Sequence, residues 1–186
     1  MSLRISFDLD DDDLKHFRLI MREARKAVAQ KSPEDIVAAA AALMHEIGVD
    51  TAPGFIVERL KKLDMMMQMI TDVEWRLPHE ETKRVLNALA YFAEPDDLIP
   101  DHIPGLGFLD DAIMVELVVR ELRHELEAYQ DFSEFRERES SRATGKGHKQ
   151  LQNRLEARRA ELHSRMRRRR QRSLERNAQS GLRLLD

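Results

Sequence analysis

Apolar residues recur three and four positions apart in six stretches of this chain, and Pro or Gly punctuates most of the joins between them. That spacing lines one face of an α-helix, whereas a half-buried strand would alternate at every second residue. Leu14, Phe17, Met21, Ala24 and Val28 mark a first helix over Asp10–Gln30. Ser32-Pro33-Glu34-Asp35 then reads as a cap, a first helical position and acids that suit the positive helix end. The Ala-rich helix it opens runs to Ile47 and stops at Gly48. Pro53 opens a third helix to about Leu77, with a heptad-like seam of Ile56, Leu60, Leu63, Met67 and Ile70. The run Met65-Met66-Met67-Gln68-Met69 widens that seam and is expected to fill an irregular core. Pro78 starts a fourth helix through about Ala93, and one long fifth helix is expected from near Leu106 to about Glu139.

Composition agrees with this pattern. Seven Gly and six Pro are few for the many turns of an all-β protein, and a 42% hydrophobic share suffices for a core. The fold class predicted is all-α, a helical bundle with a central helical hairpin over residues 78–139. Leu151, Leu155, Leu162 and Met166 add a narrow apolar stripe within a long basic C-terminal helix. The division expected is an acidic helical body over 1–139, a linker over 140–147 (SSRATGKG) and a basic helical tail over 148–186.

Charge is segregated along the chain. From Arg142 to Asp186 there are 14 Lys and Arg against 4 Asp and Glu, a net of +10. The preceding residues hold 17 against 30, a net of −13. Such asymmetry bears on partners, while the total of −3 does not. Arg165, Arg167, Arg168, Arg169, Arg170 and Arg172 form a candidate anion-binding set, because guanidinium forks match phosphate oxygens. The expected partner is nucleic acid, met at its backbone, or a protein. The alternatives are an anionic membrane surface and the chain's own acidic body. No aromatic follows Phe135, which argues against base stacking by the tail.

Several classes of chemistry are excluded or unsupported. There is no cysteine, hence no disulfide, thiolate metal site or cysteine nucleophile. Glu121 and His124 give one Glu-x-x-His pair, where a di-iron bundle needs two; a solvated helix face is the expectation. His45-Glu46 and His79-Glu80-Glu81 lack the second histidine of a zinc protease, and Thr144-Gly145-Lys146-Gly147 lacks the rest of a phosphate loop. A non-enzymatic binding protein, with no cofactor and no small-molecule substrate, is therefore expected. The third-helix seam is a candidate homodimer contact. The longest apolar run, Ile36–Met44, is nine residues, against roughly 20 for a membrane-spanning helix. Asp10–Asp13 is unlike a signal peptide. The location expected is cytoplasmic, with the inner face of a membrane as the alternative.

The most distinctive stretch lies between the fourth and fifth helices. Pro95, Asp97, Leu98, Ile99, Pro100, Asp101, Ile103, Pro104, Leu106, Gly107, Leu109, Asp110 and Asp111 stand in an order and spacing that resembles the YkvA-like family, a domain of unknown function. The resemblance covers about Val85–Arg120. Two departures, Glu94 and Asp96, add charge. The resemblance implies membrane association, since relatives carry apolar hairpin helices. Here Lys83, Arg84, Asn87, Glu116, Arg120 and Glu121 interrupt those helices, and each charge in lipid would cost roughly 3 kcal/mol. The motif residues Pro95, Asp97, Pro100, Asp101, Pro104, Gly107, Asp110 and Asp111 are expected to build a stiff corner, with Asp110 and Asp111 in the first turn of the following helix. The lesser reading makes Asp97, Asp101, Asp110 and Asp111 candidate ligands of Mg²⁺ or Ca²⁺.

Overall fold

A computed structural model describes residues 8, 10–47, 54–93, 109–142 and 148–177 of the 186. The described residues form helices α1 (Asp11–Ala27), α2 (Pro33–Ile47), α3 (Gly54–Thr71), α4 (His79–Leu89), α5 (Leu109–Glu121), α6 (Arg123–Arg142) and α7 (His148–Asn177). A single 3-10 turn, Tyr91–Ala93, follows α4, and no strand occurs among the described residues. The all-α bundle read from the sequence is what forms.

Local chemistry sets the starts of α1 and α2. The Asp10 carboxylate accepts the backbone N–H groups of Asp12 and Asp13 at 2.8 and 3.0 Å, while Asp13 accepts the N–H of Asp10 at 3.0 Å. Ser32 and Asp35 make the same reciprocal pair: the Ser32 hydroxyl accepts the N–H of Asp35 at 3.1 Å, and the Asp35 carboxylate accepts that of Ser32 at 3.2 Å. Both pairs satisfy N–H groups that a helix start leaves open. α1 closes at Ala27 rather than Gln30, because the chain turns at Val28.

The third helix is shorter than the periodicity suggests, ending at Thr71 instead of Leu77. Asp72 is the cause. Its carboxylate accepts the N–H groups of Glu74 and Trp75 at 2.9 and 3.1 Å, a turn that competes with helix. Arg136 of α6 fixes that carboxylate at 2.7 Å, and the Tyr129 hydroxyl donates to it at 3.1 Å. Burial alone would raise the pKa of Asp72, but the two N–H groups and Arg136 outweigh it and hold the acid below its ordinary range. Arg76 then adopts a left-handed φ of 50° and turns the chain toward α4.

This turn drives Trp75 into the interior, where it has no exposure. Its ring packs on Phe132 at 5.1 Å, on Tyr129 at 5.7 Å and edge-on against His163 of α7 at 4.3 Å. Met21, Met66, Met69, Met114 and Met166 fill the same core, so the methionine run of α3 is interior, as expected. The α3 seam is covered as well: Ile56, Leu60, Leu63 and Met67 are buried against α2, α4, α5 and α6 of the same chain. Ile70, at the end of the seam, is partly buried and packs on the same core.

Two further expectations are corrected. The fifth helix is not one rod: it divides at Leu122 into α5 and α6. Backbone bonds continue across, from the Leu122 N–H to Val118 and from the Leu126 N–H to Leu122, but the halves follow different neighbours. α5 lies on α3, and α6 lies along α7. The fourth helix ends at Leu89 and tightens into the 3-10 turn, whose last carbonyl, on Ala93, accepts from Lys31 at 3.1 Å. Leu155, Leu162 and Met166, the stripe expected within the basic helix, are buried in the main core.

Two measurements test this packing. Leu162→Ala should lower stability to urea by about 2–5 kcal/mol, whereas a solvated arm would lose under about 0.5 kcal/mol. Burial, with Arg167 and Arg159 nearby, lowers the pKa of His163 from 6.5 to about 4. The unfolded chain therefore binds the proton more readily, and stability present above pH 6.5 falls as the pH drops toward 4. His163→Gln should flatten the Tm profile across that window.

Candidate functional site

α6 and α7 run antiparallel, joined across residues 143–147, and a series of polar contacts fixes their register. Arg154 pairs with Glu139 at 3.0 Å, Arg165 with Asp131, and Arg169 with Glu127 at 2.7 Å. At the far end, Arg123 of α6 donates to the Ser173 hydroxyl of α7 at 3.0 Å. Half-exposed pairs of this kind contribute only about 0.2–1 kcal/mol each, so they select alignment more than they stabilise it.

This register sorts the six arginines predicted to bind anions. Arg165 and Arg169 lie on α6 acids. Arg170 is half-buried and turned toward the interior, where its charge acts on Glu125. Arg167, Arg168 and Arg172 are exposed and make no ion pair among the described residues. The set therefore splits into one group that holds the hairpin together and one that faces outward.

Inward of Arg170 lies a buried ionic cluster that the sequence reading took for solvated surface. Glu125 has no exposure, and Arg84 of α4 is 8% exposed. The Arg84 Nε lies 3.4 Å from Glu125, and its Nη2 lies 3.6 Å from Glu121. Burial pushes the Glu125 carboxyl above its ordinary range, against the opposing pull of Arg84 and Arg170. Arg84 thus ties α4 to both α5 and α6.

The Glu-x-x-His pair is not a solvated face either. Glu121 faces Arg84, whereas His124 is 7% exposed with its Nε2 2.8 Å from the Ser173 hydroxyl. The two side chains serve different partners. Burial, then Arg123 and Arg169, hold the imidazole below its usual pKa, which favours the neutral ring.

Two clefts flank the arginine-rich end of α7. One, of about 740 Å³, is lined by Arg123, His124, Glu127, Arg169, Arg172, Glu175 and Arg176. The other, of about 470 Å³, lies between α7 and the start of α4, with Arg167, Arg170 and Glu81 among its walls. Arg123, His124, Ser173 and Arg176 were not predicted as site residues. Their only signal was helical spacing, since Arg169, Arg172, Ser173 and Arg176 fall three and four apart.

Of the proline-aspartate motif, Pro95, Asp97, Pro100, Asp101, Pro104 and Gly107 lie outside the described residues. Asp110 and Asp111 fall in the first turn of α5, as expected, though their side chains are likewise outside the description. The cation reading of Asp97, Asp101, Asp110 and Asp111 goes with them. Among the described residues, no three acids or histidines group as metal ligands.

Removing Arg84 would leave Glu125 buried without its nearest counter-charge. Arg84→Met should cost about 3–5 kcal/mol in urea unfolding at neutral pH. Arg84→Met with Glu125→Leu should recover most of that loss; no recovery would show that the charge pairing is not what holds α4.

Comparison with known proteins bears on residues 84–117, which match the profile of a family described as a protein of unknown function, DUF1232. A curated relative, the uncharacterized membrane protein YkvA of Bacillus subtilis (strain 168), is 35% identical over 77 residues, spanning 38% of this chain and 71% of the relative. No solved structure matches. With that likeness across most of the relative's length, the chain belongs to the YkvA-like family of unknown function.

Proposed function

We propose that this protein is a non-enzymatic helical binding protein that attaches peripherally to an anionic lipid surface through the outward arginines of α7. The observation that carries the reading is the exposure of Arg167, Arg168 and Arg172 without ion-pair partners among the described residues, on a helix whose Arg165 and Arg169 are paired with acids of α6. A relative's name calls it a membrane protein, and no helix among the described residues is long and apolar enough to cross a membrane. Contact from one side satisfies both observations.

The contact is electrostatic rather than inserted. The apolar stripe of α7 lies in the protein's own core, which supports contact without insertion. Each arginine near an anionic leaflet contributes about 1 kcal/mol, so three give weak, reversible attachment. Screening should govern it, since the Debye length falls from about 30 Å at 0.01 M salt to about 8 Å at 0.15 M. Nucleic-acid phosphates present similar chemistry, but the membrane surface is favoured here by the relative's name.

Co-sedimentation with vesicles tests the reading. Binding is expected to phosphatidylcholine vesicles that contain phosphatidylglycerol, not to phosphatidylcholine alone, and should fall steeply with salt. The triple variant Arg167→Gln, Arg168→Gln, Arg172→Gln should lose most of it. Equal binding to neutral vesicles, or an unaffected triple variant, would overturn the reading. RNA binding without vesicle binding would reassign the surface to nucleic acid.

A further inference from the structure

Three guanidiniums converge on the larger cleft without a carboxylate partner among the described residues: those of Arg123, Arg172 and Arg176. Of its two acids, Glu127 is paired with Arg169 at 2.7 Å and Glu175 accepts from the neutral Gln171 amide at 3.0 Å, so arginines outnumber carboxylates in the lining. The Ser173 hydroxyl, only 9% exposed, ties three lining groups together. It accepts from Arg123 at 3.0 Å and from Arg176 at 3.5 Å, and it meets His124 Nε2 at 2.8 Å. Arg123 Nε also reaches that Nε2, at 3.3 Å.

Holding like charges around one hydroxyl is unfavourable unless an anion sits between them. Here the repulsion is built into the hairpin by its register, and two of the three arginines are positioned before any ligand arrives. Less side-chain freedom is then lost on binding. Arginine forks suit the oxygens of a tetrahedral oxyanion, and several such forks match a dianion better than a single carboxylate. The cleft is open to solvent on one side, leaving space for an organic substituent on a bound phosphate.

We propose that this cleft is a binding site for a phosphate monoester dianion, held by Arg123, Arg172 and Arg176 above Ser173 and His124. The inference shares its phosphate chemistry with the proposed surface attachment and rests on that reading only at Arg172. Arg123 and Arg176 belong to the cleft, while Arg167 and Arg168 stand outside it.

The test uses the full chain and follows the side-chain Nε signals of Arg123 and Arg176 by NMR. Sodium phosphate and glycerol phosphate are titrated against sodium chloride at matched ionic strength. Phosphate-specific, saturable shifts are expected, weakened about tenfold in Arg123→Gln and in Arg172→Gln. Arg172 makes no ion pair or side-chain hydrogen bond among the described residues, so its replacement tests binding without loss of a described contact. Shifts reproduced by chloride, or a phosphate titration unchanged in Arg172→Gln, would overturn the site. Vesicles containing phosphatidic acid separate the sources of the ligand. Competition between inorganic phosphate and these vesicles identifies a lipid headgroup; saturable phosphate binding without competition identifies a soluble ester. The pair Arg167→Gln and Arg168→Gln should weaken vesicle attachment and leave the phosphate titration intact, so failure of one proposal is distinguishable from failure of the other.

Discussion

The packing of Trp75 is the contact on which the remainder of the bundle depends. The indole belongs to a turn after α3, yet it touches Tyr129 and Phe132 of α6 and His163 of α7. One side chain therefore ties the turn after α3 to α6 and α7, both distant from it in sequence. The turn that delivers it is held by Asp72, and Asp72 by Arg136, so a polar brace at the rim sets the position of the largest apolar group within. Aromatic burial of this size supplies stability, while the brace supplies direction. Without the turn, the indole would not reach His163 of α7.

A second constraint is ionic and lies deeper. Glu125 and Arg84 sit where an all-apolar core would place leucines. Buried pairs of this type seldom add net stability, because desolvation of both charges opposes their attraction. Their effect is positional: α4 can take only the placement in which Arg84 reaches α5 and α6 together.

Much of the fold was legible because it is decided locally. Ser32 with Asp35, and Asp10 with the acids after it, announce helix starts within four residues. The apolar stripe of α7 was visible too, but not its partner, since periodicity says that a face is buried and not against what. The end of α3 was missed for a related reason: Asp72 lies in a helical pattern, and Arg136, which holds it in a turn, comes 64 residues later. The division at Leu122 left no mark, because Val118, Leu122 and Leu126 keep helical spacing straight through it. In the candidate site, the arginine run was plain in the sequence, whereas Arg123, His124 and Ser173 meet only once two antiparallel helices are aligned.

That alignment decides more than contact. Were α7 to slide one turn, about 5.4 Å, toward the start of α6, Arg169 would leave Glu127 and come to face Arg123. The surface potential of this end is thus an output of helix phase: six cations in eight residues yield three outward ones because the others are claimed by geometry. A relative of the same composition with a shifted phase would carry the same charge and present a different face to an anion.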